Sequence, residues 1–183
     1  MRNIRWFALG TLVLAGCGRV EYQPVEAAEV RSAGPEAPRV TIAVFDTAGR
    51  PVGEESVARI ILSDQDWQAR MTPLGFAVTR RGATELAFTG RYYKHSGAGI
   101  YRCAGCGTAL FHSSAKFDSG TGWPSFRALV SERNAYTRED GGREEVLCRR
   151  CDAHLGHLFF DGPEPSRTRY CINSAALAFA ASP

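Results

Sequence analysis

A chain of 183 residues with 44% hydrophobic and 10% aromatic content is long enough for one domain with a real core, and two domains would be a squeeze. The formal charge of +3 includes Arg2 and Arg5, which lie in an N-terminal leader; without those two, 20 basic residues face 19 acidic ones. That balance gives no electrostatic basis for a nucleic-acid partner.

The leader is the first element. Arg2 and Arg5 flank the start of an apolar run from Trp6 to Ala15 that is too short to span a bilayer as a stable helix, so residues 1–16 read as an export signal. The run ends in Leu14-Ala15-Gly16-Cys17, which resembles a bacterial lipobox; the alternative is an ordinary signal peptide with a chance cysteine. Lipidation of Cys17 implies the membrane as a partner, since acyl chains contribute about 0.8 kcal/mol per buried methylene. The protein is then expected in the bacterial cell envelope, lipid-anchored and facing the periplasm or exterior. Residues 17–38 are rich in Ala, Glu, Pro and Arg without periodicity and read as a flexible tether carrying the lipid.

Val40 to Phe45 alternates loosely, and Thr47-Ala48-Gly49-Arg50-Pro51 supplies turn residues, so residues 39–62 are expected to form a lead-in hairpin. Ser63, with Asp66 three residues on, caps a short helix through Trp67 and Met71, which Pro73-Leu74-Gly75 is expected to break. Beyond it come short β-type runs separated by glycines: Ile100-Tyr101-Arg102, Ala109-Leu110-Phe111, His157-Leu158-Phe159-Phe160, and Tyr170 to Ile172. A mostly antiparallel β domain follows from this spacing.

Six cysteines in an exported chain ordinarily suggest three disulfides. Their spacing argues otherwise. Cys103-Ala-Gly-Cys106 and Cys148-Arg-Arg-Cys151 are two knuckles, each able to turn two thiolates toward one metal, and four sulfurs at about 2.3 Å complete a zinc tetrahedron. Such a site is closed and structural. The competing reading is a pair of disulfides formed across the knuckles.

With Cys17 and the knuckles assigned, Cys171 is left over. If Arg169 to Asn173 is a strand, Arg169, Cys171 and Asn173 share a face. The guanidinium favours the thiolate, which suits a nucleophile, and the amide can orient a reacting group or a histidine. The bland alternative is a buried structural cysteine. His154-Leu155-Gly156-His157 follows the second knuckle directly; both histidines reach one site only if Gly156 permits a bend. His95 and His112 have no such setting. Trp123 sits in Gly120-Thr121-Gly122-Trp123-Pro124-Ser125-Phe126, a glycine-rich loop better suited to a pocket wall than to a core.

Taken together these pieces resemble the B-type methionine sulfoxide reductases. The resemblance runs from about Ser63 to Leu177 through Phe88-Thr89-Gly90, both knuckles, Lys116 to Phe126, His154-Leu155-Gly156-His157, Asp161-Gly162-Pro163 and Arg169 to Ser174. It implies a reductase domain over 63–183 with a mostly β fold, two antiparallel sheets with short flanking helices, clamped by Zn2+. It implies reduction of methionine (R)-sulfoxide in oxidised peptides and proteins. Carried over by position, Cys171 is the nucleophile, His157 the proton donor, and His154 and Asn173 support it; Trp123 takes the substrate methyl group, Arg169 and Asp161 line the site, and Cys103, Cys106, Cys148 and Cys151 hold the metal.

Two departures stand out. Many members of that family carry a resolving cysteine where this chain has Thr121, so regeneration is expected to need an external thiol, thioredoxin-like or small. The segment from Asn134 to Arg143 fits the family pattern poorly and reads as a loop. A rival from another class is a zinc-ribbon module that binds a protein partner without catalysis; a zinc hydrolase is excluded because four cysteines fill the coordination sphere.

Overall fold

A computed structural model describes residues 37–46 and 48–183. The leader read over 1–16, Cys17 and all but the last two residues of the tether lie outside the described residues. Among those described, no helix is long and apolar enough to cross a membrane.

The first strands, β1 (Arg39–Phe45) and β2 (Pro51–Ala58), pair antiparallel. Asn134 fastens this hairpin to the rest of the fold. Its fully buried amide accepts from Ala43 N and donates to the carbonyls of Ala43 and Ala109, so one side chain continues the ladder where backbone pairing stops.

The next helix, α1 (Asp64–Arg70), starts as expected at Ser63, whose hydroxyl accepts from Asp66 N. Pro73, however, begins a second helix and does not merely end the first: α2 spans Pro73–Arg81 with Thr72 as its cap, accepting from Gly75 N at 3.0 Å. Proline is at home in the first turn, where its missing N–H would have no intrahelical partner anyway.

All remaining strand pairs are antiparallel. Three strands, β3 (Gly99–Cys103), β4 (Ala109–His112) and β11 (Leu177–Ala181), form a sheet in the order β11-β3-β4. Six others, β5 (Lys116–Phe117), β6 (Ser125–Phe126), β7 (Ala135–Asp140), β8 (Arg143–Cys148), β9 (His154–Phe159) and β10 (Arg169–Ile172), form a second in the order β5-β6-β10-β9-β8-β7. The described residues are therefore mostly β, with short helices and three antiparallel sheets: the β1–β2 hairpin and, beyond it, the two sheets expected. Aromatic packing joins the sheets: Phe111 of β4 stacks on Phe126 of β6 at 4.2 Å, and Tyr101 of β3 meets the same ring edge-on at 5.0 Å. Each such buried side chain contributes about 1.5 to 3 kcal/mol.

The segment 134–143 is a correction to the loop expected there. It is mostly β7, and Gly141-Gly142 turns it directly into β8, both glycines having positive φ (+57° and +86°) as a two-residue hairpin turn of the I′ kind requires.

Candidate active site

Residues three apart on a regular strand face opposite ways, yet the rings of His154 and His157 lie 5.4 Å apart in an edge-to-face arrangement. The pairing of β8 with β9 explains it. Val146 faces Gly156 but Leu147 faces His154, so the register slips and Leu155 is left over as a bulge that reverses the facing of the strand. Gly156 makes this possible, because at its φ of +157° a Cβ would stand 2.0 Å from the carbonyl oxygen of Cys171 on the next strand. Asn173 braces the bulge: its backbone N–H and its side-chain Nδ2 both donate to the Leu155 carbonyl, while its Oδ1 accepts from Glu85 N. The strand ends at Ile172, and where the sequence has the Asn173 amide orienting a reacting group or a histidine, its hydrogen bonds among the described residues go to backbone.

The bulge puts His157 in register with Cys171. One row of facing residues crosses the whole six-stranded sheet: Phe117, Ser125, Cys171, His157, Glu145 and Arg138. Facing residues in antiparallel strands share a side of the sheet, so the thiol stands between a hydroxyl and an imidazole. Beyond His157, Glu145 bonds His154 Nδ1 at 2.7 Å and takes Arg138 on its other oxygen at 2.6 Å. Burial alone would raise the Glu145 carboxyl, but the His154 and Arg138 bonds outweigh it and hold it below its ordinary value. Burial lowers His154 against the opposing pull of Glu145, and its Nε2 is buried without a hydrogen-bond partner among the described residues.

Cys171 is half-buried. Burial pushes its thiol up, and that effect exceeds the opposing influence of Arg169, Thr121 and Ser125, each of which favours the thiolate. The expected direction of the Arg169 effect is present, but it does not set the net result. Arg169 is itself held in a two-pronged bridge by Asp161 (2.7 and 2.9 Å) and lies over the Phe159 ring at 4.4 Å. Asp161 thus reaches Cys171 only through Arg169, which holds the Asp161 carboxyl below its usual range.

Cys171, His157, Trp123, Asn173, Phe159, Thr84, Gly156 and Arg143 line a common cavity of about 150 Å3. Trp123 is fixed by its indole N–H, which donates to the Glu85 carbonyl at 3.1 Å. Sequence reasoning missed Arg143 and Asp140. The Gly141-Gly142 turn carries both to the site: Arg143 lines the cavity, and Asp140 bonds His157 Nε2 at 3.1 Å and Arg143 at 3.0 Å. The His157 bond is the largest influence holding the Asp140 carboxyl low. The signal that could have found them was the Gly-Gly pair flanked by charges that pair across a hairpin.

Away from this cavity, the sulfurs of Cys103, Cys106, Cys148 and Cys151 all lie within 4.8 Å of one another, and all four residues are buried. Cys103 and Cys151 are 3.6 Å apart at sulfur, Cys106 and Cys148 3.5 Å, close to the edge of about 3.8 Å that a tetrahedron with zinc–sulfur bonds of 2.3 Å requires. Separations of 3.5 and 3.6 Å are far beyond the roughly 2.05 Å of an S–S bond, so among the described residues the rival pairing of knuckles by disulfides is not adopted. Thiol neighbours push Cys103 and Cys151 well up; four sulfurs this close are compatible as anions only around a cation. The indole of Trp67 lies beneath the first knuckle, next to Gly105, and Arg80 donates to the Cys151 carbonyl at 2.7 Å, so α1 and α2 both brace the cluster.

Residues 71–181 match the SelR domain. The chain is 51% identical over 121 residues to the peptide methionine sulfoxide reductase MsrB of Synechococcus sp. (strain RCC307), covering 64% of this chain and 89% of that protein. The same figure of 51% over 121 residues holds for the MsrB of Thiobacillus denitrificans, with 64% and 92% covered. Methionine-R-sulfoxide reductase B3, mitochondrial, of Mus musculus is 43% identical over 157 residues, which is 82% of this chain and 59% of that one.

Proposed function

The chain belongs to the SelR-domain (MsrB) family and is a peptide-methionine (R)-S-oxide reductase, and on that premise we propose that it works through an oxidised form of Cys171. The observation that carries this reading is the facing of Cys171 and His157 across β10 and β9 inside a cavity walled by Trp123.

A sulfoxide offers an electrophilic sulfur and a basic oxygen. The Cys171 thiolate attacks the sulfur while the His157 imidazole hands a proton to the oxygen. Two electrons pass from the cysteine sulfur to the sulfoxide sulfur, methionine leaves as the thioether, and the oxygen remains on Cys171 as a sulfenic acid. The methyl group packs on the Trp123 face, which places the adjoining sulfur near the ring, where sulfur–aromatic contacts are worth about 0.3 to 1.5 kcal/mol. Arg169, held by Asp161, supplies positive charge beside the thiolate. His154 and Asn173 act through the bulge that aims His157.

Regeneration follows from Thr121. A hydroxyl cannot condense with a sulfenic acid, and the other described cysteines belong to the metal cluster. An external thiol, from a thioredoxin-like protein or a small reductant, therefore attacks Cys171, releasing water and leaving a mixed disulfide that a second thiol resolves. The four knuckle cysteines hold Zn2+, whose contribution is to tie β3 and its turn to β8. Lipidation at Cys17 anchors the enzyme to the membrane on the outer side of the cytoplasmic barrier, where its clients are oxidised envelope proteins.

Chirally resolved peptide sulfoxide supplied with dithiothreitol, and separately with a thioredoxin system, tests the reading. Reduction of the R epimer alone, abolished by Cys171→Ser with zinc content unchanged, is the expected result. Turnover by the Cys171→Ser protein above background refutes the role of that thiol.

A further inference from the structure

Where a resolving thiol is expected, this chain carries hydroxyls, and they are connected. Thr121 Oγ1 lies 3.9 Å from Cys171 Sγ. Ser119 Oγ bridges Thr121 Oγ1 at 2.9 Å and Ser125 Oγ at 2.7 Å. Ser125 is fully buried and faces Cys171 in register across β6 and β10. The three hydroxyls therefore form a chain whose two ends, Thr121 and Ser125, flank one sulfur from different elements. Ser125 also lies 3.4 Å from the Trp123 carbonyl, and Thr121 N lies 3.4 Å from Ser119 Oγ, which ties the chain to the loop bearing the cavity wall. Each hydroxyl can rotate to donate or accept; with two of the three protons held in the contacts at Ser119, the chain can point the third at the sulfur from one end.

We propose that Thr121, Ser119 and Ser125 form a hydroxyl cradle that donates hydrogen bonds to Cys171, first to the thiolate and then to the sulfenate left by turnover, and so keeps the oxidised enzyme reducible until an external thiol arrives. The proposal rests on the reading of Cys171 as the reacting sulfur and extends it to the oxidised state. In that state an enzyme without an internal resolving thiol waits for its reductant, and the competing fate is a second oxidation. Peroxide attacks the sulfenate sulfur, one oxygen is transferred to give the sulfinate, and water leaves; thiols do not reverse that step. Hydrogen bonds donated to the sulfenate oxygen and sulfur withdraw electron density from the nucleophile in this reaction. They leave its reduction unimpaired, because there the sulfur is the electrophile. Thr121 Oγ1 lies 3.9 Å from the reacting sulfur, Ser125 faces it across the strand pair, and Ser119 is a positioning residue that links the two.

Thr121→Val removes the hydroxyl at nearly constant shape, Ser119→Ala cuts the bridge, and Thr121→Ser restores the donor. Two measurements separate the cradle from the functional reading. The first titrates the Cys171 thiolate in reduced protein by its ultraviolet absorbance, with no substrate. Thr121→Val should lower the thiolate fraction at a fixed alkaline pH about tenfold, the size of one hydrogen bond to a charged sulfur, and Thr121→Ser should restore it. The second oxidises the protein with one equivalent of sulfoxide, adds hydrogen peroxide without thiol, and follows the sulfinate by mass spectrometry. Sulfinate should form several-fold faster in Thr121→Val and Ser119→Ala than in wild type or Thr121→Ser. Equal titration and equal sulfinate formation in all four proteins overturns the cradle, as does a Thr121→Ser protein that behaves like Thr121→Val. If wild-type protein releases no methionine on mixing with sulfoxide, the functional reading fails, and the titration still decides the cradle by itself.

Discussion

Cys171 and His157 face each other across adjacent antiparallel strands, so the thiol and the imidazole hold their relative position through backbone pairing and not through any bond between their side chains. Facing residues in such a pair have α-carbons about 4.5 to 5.5 Å apart. The pairing extends outward to Ser125 on one side and Glu145 on the other. A thiol and an imidazole set in one sheet row are positioned by every strand in that row, which is rigid support for chemistry that needs two groups aimed at neighbouring atoms.

His157→Asn tests the division of labour in that pair. The substitution keeps a polar side chain on the strand but removes the transferable proton. Methionine release in the first turnover should slow about 10²- to 10⁴-fold, while alkylation of Cys171 by iodoacetamide proceeds much as before. Rapid-mixing assays with peptide sulfoxide give the rate; a loss below threefold would remove His157 from the role of acid.

Gly156→Ala attacks the bulge. A methyl group there would sit 2.0 Å from the Cys171 carbonyl, and relief requires β9 and β10 to separate, which undoes the facing of His157 and Cys171. We expect destabilisation of at least about 2 to 3 kcal/mol together with loss of activity. Denaturant unfolding of the zinc-loaded protein measures it, and a change under about 0.5 kcal/mol would show that the strands accommodate the methyl.

These two residues also mark where sequence reading stops. The knuckles were legible because metal chemistry fixes a short spacing, and the facing of Arg169 with Cys171 was legible because strand alternation is local. The bulge was only half legible: Gly156 hinted at a bend, but the slip that leaves Leu155 over is set by pairing with β8, a separate strand. β7 was missed because its residues beyond Ala135 are mainly exposed and charged; without a buried face there is no period to read. Its strand character comes from pairing with β8. Pro73 was misread because proline both ends one helix and opens the next, and only the bond from Gly75 N to Thr72 tells which. Asp140 and Arg143 followed β7 out of view.

Removing the metal should unfold the domain. Zinc binding at four cysteines contributes on the order of 10 kcal/mol to folding in small sites, and here the cluster joins β8 to the turn after β3 and rests on Trp67. One zinc per chain is expected after gentle purification, and a strong chelator should abolish the near-ultraviolet circular dichroism. Cys148→Ser should lose the metal and express poorly. A folded, metal-free protein with intact activity would show that the cluster is dispensable.

The thiol should titrate late. Because burial outweighs Arg169, Thr121 and Ser125, the folded protein favours the protonated form of Cys171. A group raised by folding contributes stability below its ordinary pKa and loses that contribution as pH rises through the folded value. Alkylation of the substrate-free enzyme should therefore climb at pH values above the ordinary thiol range of about 8.5, and Arg169→Ala should move the midpoint higher still. A midpoint at or below neutrality would mean that the guanidinium prevails over burial.

Thr121→Cys probes the geometry from the opposite direction. The native hydroxyl is 3.9 Å from Cys171 Sγ, whereas a disulfide requires sulfurs about 2.05 Å apart, so the glycine-flanked loop must move inward by a modest amount. Gly120 and Gly122 both have positive φ and bracket the residue, which gives the loop backbone freedom on each side. After one turnover with sulfoxide and no reductant, the variant should lose two hydrogens by mass, where wild type gains one oxygen. It should also become less prone to over-oxidation by peroxide, since the new thiol condenses with the sulfenic acid before a second oxidant arrives. A variant that still gains an oxygen and forms no internal bond would show that the loop cannot close the gap, and that an external thiol must reach Cys171 by another approach.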